Sequence, residues 1–333
     1  MSKENAGFLA EARHLKKEVM TMKTIYHHPQ GEAIIHALYD KHLARTGIMT
    51  QSQMVPTRFG QTHVLLAGPE SGPPLVLLHG GNTINPTTLW WIKPLMAKYR
   101  VYAPDTLGHP GKSAPVRLSP RDDSYGQWLV DVLDALQLSQ PAVMAGSYGA
   151  GILLRTAAFA PQRISKAVAM IPSGLVSIPW RTMFFDLLVP LIVYRLAPSR
   201  ARLLKVLRPM FLENPIPEDV LEITLAVFQH VHVEPEMPRN VTKTELQNFT
   251  APILVLAAEY DRLFPAKRVV ERAGQVFQNL AAAEIISGSP HFIPERLLPA
   301  INARIDKFLM ATEDRPGAEV RVTTSNQQVT LGG

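Results

Sequence analysis

The sequence predicts an α/β fold in which a mostly parallel central sheet is flanked by helices and interrupted by an inserted helical segment. Three observations lead there. Short apolar runs alternate with segments of helical period over most of the chain, the rhythm of strands joined by crossover helices. One run, Leu75-Val76-Leu77-Leu78, is continuously apolar, as expected of a strand covered on both faces. The alternation stops near residue 174 and resumes near 249, which marks the insertion.

In chain order, residues 1–48 are expected to form a helical extension outside the core fold, packed on the body or on a second subunit, with an apolar set Ile34, Ile35, Leu38 and Leu43 and a break at Pro29-Gln30-Gly31. A strand over 54–59, a turn at Gly60-Gln61 and a strand over 62–67 follow. After strand 75–78 comes His79-Gly80-Gly81-Asn82, then a helix carrying Leu89, Trp90, Ile92 and Leu95. The strand 101–103 ends at Pro104-Asp105 and a glycine-rich loop. Trp128, Leu129, Val132, Leu133 and Leu136 recur on one helical face. Residues 141–145 form the next strand, 152–159 its helix, and 164–171 another strand. Residues 174–248 are read as a helical cap insertion, with helices around 181–195, 199–212 and 217–230. The apolar residues there, including Met183, Phe184, Phe185, Met210 and Phe211, are expected more as core than as ligand wall, with some of them facing the serine because a cap closes over it. The rhythm resumes with strand 253–257, a helix holding Val269 and Val276, strand 283–286 and a helix holding Ile301 and Phe308. The core is thus assigned to 49–173 and 249–311, and the polar residues 312–333 to a flexible tail.

Composition narrows the function. With 333 residues, 46% hydrophobic and 19% charged, the chain can bury a large core. Its net charge of +6 comes without any Lys or Arg run longer than a pair, so no nucleic-acid partner is expected. The absence of cysteine excludes disulfides, thiolate metal sites and a cysteine nucleophile. The N-terminus, MSKENAGFLAEARHLKK, has charges where a signal peptide needs an apolar centre, so a cytoplasmic location is expected. Segment 183–194, interrupted by Asp186 and Pro190, is too short to span a bilayer, and no stable membrane insertion is expected.

The chemistry sits at strand ends, where an open parallel sheet collects its ligands. Around Ser147, small residues stand two before and two after, Ala145 and Gly149, between a strand and a helix. Such a turn exposes a serine hydroxyl and tolerates only small neighbours. Asp261 follows a later strand, four residues before Pro265, and His291 follows the last; Glu259 is the rival acid.

The His-Gly-Gly turn, the loop Pro104-Asp105 to Ser113, the small-x-Ser-x-Gly elbow, the acid loop ending in proline and the late histidine together resemble the capped α/β hydrolase fold over roughly residues 53 to 310. The resemblance implies a carboxylesterase-like serine hydrolase with Ser147 as nucleophile, His291 as base and Asp261 as its orienting acid. It also implies an oxyanion hole from the backbone N–H groups of Gly81 and Tyr148, with Asn82 as a third donor. It implies no metal or organic cofactor and a small-molecule ester substrate with apolar groups. Aminopeptidase, lactonase, carbon–carbon hydrolase and haloperoxidase chemistry fit the same framework, as does a non-catalytic ligand-binding member. A serine at the elbow argues against the aspartate-based dehalogenases and epoxide hydrolases. The extension and tail leave a homo-oligomer open.

Two other patterns have bland readings. Gly108-His109-Pro110-Gly111-Lys112-Ser113 lacks the spacing of a phosphate loop, since Gly108 stands too close to Gly111-Lys112-Ser113. His230-Val231-His232-Val233-Glu234 has no third cluster to complete a metal site and reads as the end of a cap helix, and His27-His28 reads likewise as solvated.

Overall fold

The computed structural model describes residues 24–212 and 216–311, together with the backbone of 319–321. Helix α1 (Pro29–Thr46) precedes the hairpin β1 (Thr50–Thr57) and β2 (Gly60–Ala67). Then come β3 (Pro74–Leu78), α2 (Asn85–Trp91), β4 (Arg100–Pro104), α3 (Ser124–Ala135), β5 (Ala142–Gly146), α4 (Tyr148–Phe159) and β6 (Lys166–Met170). A helical insertion follows, with a π-helical turn (Thr182–Leu188) running into α5 (Val189–Leu196), then α6 (Arg200–Leu207) and α7 (Glu218–His230). The chain closes with β7 (Ile253–Ala258), α8 (Ala266–Val276), β8 (Leu280–Ile286) and α9 (Leu298–Met310). Glu319–Arg321, within the expected tail, lies beside β8 as β9; the rest of 312–333, like residues 1–23 of the expected extension, is outside the described residues.

The strands form one sheet in the order β1-β2-β4-β3-β5-β6-β7-β8-β9. Only β1 and β2 run antiparallel to their neighbours; from β4 through β9 every pairing is parallel. Side chains alternate across the sheet. Val76, Leu78, Val143, Ala145, Val255 and Ala257 point to a layer built by α3, α4 and α8. Leu75, Leu77, Met144, Val168, Leu254 and Leu256 point to a layer built by α2, α9, α1 and α7. That two-sided burial is why β3 is apolar at every position. Emptying one such site, as in Leu77→Ala, costs about 2–5 kcal/mol. The insertion has a small core of its own around Tyr194, Leu203, Leu207 and Leu221.

Several boundaries differ from expectation for identifiable reasons. Pro29 starts α1 at its first turn, where its missing N–H costs nothing, and the His28 ring accepts from Gly31 N–H at 3.0 Å as a cap. The hairpin turn falls at Arg58-Phe59, because Gly60, at φ 125°, already pairs with Thr57. The helix after β3 gives way to a 3₁₀ turn (Lys93–Ala97) at Pro94. Of the two placements expected for the extension, α1 takes the one on the body: Tyr39 is fully buried and donates to Asp105 at 2.8 Å, and Lys41 reaches Glu222 of α7 at 2.6 Å.

Candidate active site

β5 is the middle strand of the nine and runs parallel to both its neighbours, β3 and β6, so its carboxyl end is flanked by the loops after those strands. Ser147 occupies the turn between β5 and α4 with φ 50° and ψ −115°, a conformation rare for a residue with a side chain. Its N–H donates to Met170 O at 3.0 Å, while its carbonyl accepts from the Ser173 hydroxyl at 3.0 Å and the Ser173 N–H at 3.2 Å. A Cβ at Gly149 would stand 2.6 Å from the carbonyl oxygens of both Leu78 and His79, so only glycine lets α4 approach β3 here. At Ala145, paired with Leu78 and Ala169, the methyl group is accommodated in the core. A Cβ on Gly146 would meet nothing, so glycine is not demanded there.

The other two expected side chains converge on this serine. Ser147 Oγ is 3.0 Å from His291 Nε2, and His291 Nδ1 is 2.8 Å from Asp261 Oδ2. A carboxylate only accepts, so Nδ1 carries the imidazole proton and Nε2 presents a lone pair to the serine hydroxyl. The second Asp261 oxygen accepts from the N–H groups of Leu263 at 2.7 Å and Phe264 at 3.0 Å, which fixes the carboxylate plane. The Asp261 side chain is wholly buried and that of His291 is 10% exposed. Glu259, the rival, instead accepts from Gly288 N–H at 2.8 Å and does not reach the imidazole.

The loop after β3 faces the elbow. A Cβ on Gly81 would come within 3.0 Å of the Tyr148 side chain, so the two backbones lie close together. Among the described residues neither the Gly81 nor the Tyr148 N–H has a hydrogen-bond acceptor. Asn82, named as a third donor, is committed elsewhere. Its N–H donates to His109 Nδ1 at 3.0 Å, and its side-chain amide both donates to Glu234 O at 2.9 Å and accepts from Glu234 N–H at 2.7 Å. Asn82 adopts φ 51°, a left-handed conformation asparagine tolerates well.

Two histidines support this loop and were not assigned from sequence. His79 Nδ1 donates to Gly80 O at 2.8 Å and Nε2 accepts from Thr106 N–H at 2.9 Å. Burial holds this imidazole below its ordinary range, against the nearby Asp105. His109 is driven much further down by burial, helped by His79 and Arg117, and its ring meets Tyr148 edge-on at 4.4 Å. Both are therefore neutral struts. The only available sequence signal was their placement beside glycines at strand ends.

The glycine-rich loop wraps Asp105, which is fully buried and accepts from Lys112 N–H at 2.8 Å, His63 Nδ1 at 2.9 Å and Tyr39. In the segment read as a possible metal pattern, His232 packs on His27 and His230 on His28, while Glu234 turns inward toward Arg117 at 3.1 Å. Among the described residues no group of three or more His, Cys, Asp or Glu is placed to hold a metal ion.

A doubly wound sheet presenting a serine on a strained strand-to-helix turn, with an acid and a histidine on later strand ends, defines a class of hydrolase. Residues 73–295 match the family model described as the alpha/beta hydrolase fold. The chain belongs to this family and is a carboxylesterase-like hydrolase. It is 28% identical over 284 residues to the uncharacterized carboxylesterase nap of Bacillus subtilis, covering 82% of this chain and 91% of that protein. It is 27% identical over 277 residues to carboxylesterase YbfK of the same organism, covering 81% and 92%. Among solved structures it resembles naproxen esterase (carboxylesterase NP) from Bacillus subtilis, with a TM-score of 0.72 and 26% identity over 82% of this chain and 96% of that one.

Proposed function

We propose that this chain cleaves carboxylic esters through an acyl-enzyme formed on Ser147. The observation that carries the proposal is the unbroken relay from Ser147 Oγ through His291 to the buried Asp261, at 3.0 and 2.8 Å. A serine hydroxyl is a poor nucleophile at neutral pH, and a hydrogen-bonded imidazole removes its proton as attack begins. Oγ bonds to the ester carbon while Nε2 takes the proton. The resulting oxyanion is stabilised by the Gly81 and Tyr148 N–H groups, each worth about 3 kcal/mol of barrier if lost. The intermediate then expels the alcohol, which leaves with the proton from His291. Water attacks the acyl group by the same steps in reverse, releasing the acid and restoring Ser147. Asp261 fixes the tautomer and stabilises the imidazolium throughout.

The α4 N-terminus adds a favourable dipole beside the oxyanion. Residues 174–248 serve as a cap over a core of 49–173 and 249–311. In support, this segment touches both site loops, through Asn82 with Glu234 and through Phe292 N–H donating to Met210 O at 2.8 Å. The esterase names of the relatives, including one named for a naproxen ester, favour a substrate with an apolar acyl or alcohol part.

The test is hydrolysis of a p-nitrophenyl ester series with fluorophosphonate labelling. The wild type turns over these esters and is labelled at Ser147, while Ser147→Ala loses labelling and about 10³-fold or more in kcat. A wild type that does neither, or a Ser147→Ala variant of unchanged activity, would refute the assignment.

A further inference from the structure

The first helix of the insertion is apolar on its outside. Between residues 180 and 196 a row of large apolar side chains faces solvent, among them Trp180, Phe184, Phe185, Leu188, Ile192 and Leu196, the last 80% exposed. The buried residues of the same stretch are Thr182 and Tyr194. This inverts the ordinary arrangement, in which an amphipathic helix turns its apolar stripe to the core. An exposed contiguous patch of this kind marks a contact surface.

Charge around the patch selects what contacts it. Residues 175–212 contain six cations (Arg181, Arg195, Arg200, Arg202, Lys205 and Arg208) and one carboxylate, Asp186. Asp186 is paired with Arg262 at 2.6 Å and Arg200 with Glu218. Arg181, Arg195, Lys205 and Arg208 are exposed and have no carboxylate partner among the described residues. The Arg181 guanidinium lies over the Trp180 ring at 5.6 Å from its centroid. An apolar face bearing an aromatic anchor, with the exposed cations Arg181 and Arg195 near its two ends, is complementary to anionic lipid. Two copies meeting through this face would bring like charges together, which disfavours a dimer here.

We propose that the 180–196 face docks on the surface of an anionic phospholipid bilayer, lying in the headgroup region without crossing it. No helix among the described residues is long and apolar enough to cross a membrane. The Asp186–Arg262 pair ties the docking helix to the loop beginning at Asp261, so the bound surface and the serine site share one end of the sheet. Docking does not depend on Ser147 being a nucleophile.

The full chain is co-sedimented with vesicles of phosphatidylcholine alone and of phosphatidylcholine with about one-third phosphatidylglycerol. Partitioning about tenfold or more in favour of the anionic vesicles is expected, weakened by salt, with a blue shift from Trp180, the most exposed of the four tryptophans. Ile192→Glu with Leu196→Glu should lower partitioning about tenfold, while the thermal midpoint and hydrolysis of a soluble short-chain ester stay unchanged. Arg195→Glu with Lys205→Glu should remove the anionic preference. Binding to neither vesicle, equal binding to both, or binding unaffected by the Ile192/Leu196 variant would overturn the proposal. So would a concentration-dependent dimer, abolished by that variant, in a protein that ignores vesicles.

Discussion

Asp261→Asn separates orientation of the imidazole from its mere presence. The Asp261 carboxylate has divided duties: Oδ1 accepts from the Leu263 and Phe264 N–H groups, and Oδ2 accepts from His291 Nδ1. An asparagine at this position must keep its carbonyl oxygen toward the two backbone donors, because turning its NH₂ there sets donor against donor. The NH₂ then faces His291 Nδ1, which must become an acceptor, so the ring proton moves to Nε2. Nε2 no longer has a lone pair for the serine proton, although the 3.0 Å spacing to Ser147 Oγ is unchanged. An inverted tautomer of this type costs about 10⁴-fold in kcat, or about 5.5 kcal/mol of barrier. The assay is kcat and KM on a p-nitrophenyl ester, with thermal melting to show that the fold is intact. KM should change little, and Glu259→Gln should stay within about threefold of wild type, since Glu259 bonds Gly288 and not the imidazole. An Asp261→Asn variant within about tenfold of wild type would refute the tautomer argument, and a large loss in Glu259→Gln would move the acid two residues upstream.

Three further perturbations probe the supports of the site. Asn82→Ala strands the Glu234 N–H and carbonyl and puts alanine at φ 51°, so a fall of about 2–4 kcal/mol in stability by urea unfolding is expected, with about a tenfold loss in kcat as the Gly81 loop loosens; unchanged kcat would separate the clamp from catalysis. Gly149→Ala places a methyl group 2.6 Å from two carbonyl oxygens, so it should cost about 1–3 kcal/mol or more and displace Ser147, visible as slower fluorophosphonate labelling; wild-type labelling and melting would contradict the packing. Glu245 is raised by burial but held down to about 2 by hydrogen bonds from Arg155, the Thr242 N–H and hydroxyl, and Arg239. Its folded pKa is depressed, so its stabilisation is present above its unfolded value near 4.5 and is lost as pH falls toward about 2; Glu245→Gln should therefore flatten the fall in melting temperature across that window, and an equally steep fall would rule this carboxylate out as a contributor.

The parallel core was legible because continuous apolar runs of four to six residues leave few alternatives to strands covered on both sides, and β3, β5 and β7 fall where those runs are. The serine, acid and histidine could be picked out together because parallel topology gathers strand ends on one edge, so chain order alone suggested the group. Asn82 was misread as an oxyanion donor. Its N–H goes to His109, and its side-chain partner, Glu234, is 152 residues away, within a helical insertion whose docking no local pattern encodes. The placing of Met183, Phe184 and Phe185 mainly in a core failed for a related reason, since all three are exposed. Helical periodicity reveals that one face is apolar, but not whether any element covers it, and here none of the described residues does so fully. The same limit hid Tyr39, whose hydroxyl needs the buried Asp105 carboxylate to be worth burying.

The strain at Ser147 explains why so many contacts meet at one turn. A non-glycine residue at φ 50° persists only where its surroundings leave it no alternative. Here Met170 O and Ser173 hold the Ser147 backbone from β6, while Leu78 and His79 bear on Gly149 from β3. A second unusual residue, Ile171 at φ 42°, sits directly after β6 and donates its N–H to Leu256 O of β7 at 2.6 Å. That φ is costly for a β-branched side chain, and it turns the chain so that Ser173 reaches the elbow. The position of the hydroxyl thus depends on the mutual register of β3, β5, β6 and β7, not on the five residues of the motif alone. Transplanting Ala145-Gly146-Ser147-Tyr148-Gly149 into a strand–helix turn lacking those neighbours would leave the serine free to relax to an ordinary backbone conformation and lose its aim at His291.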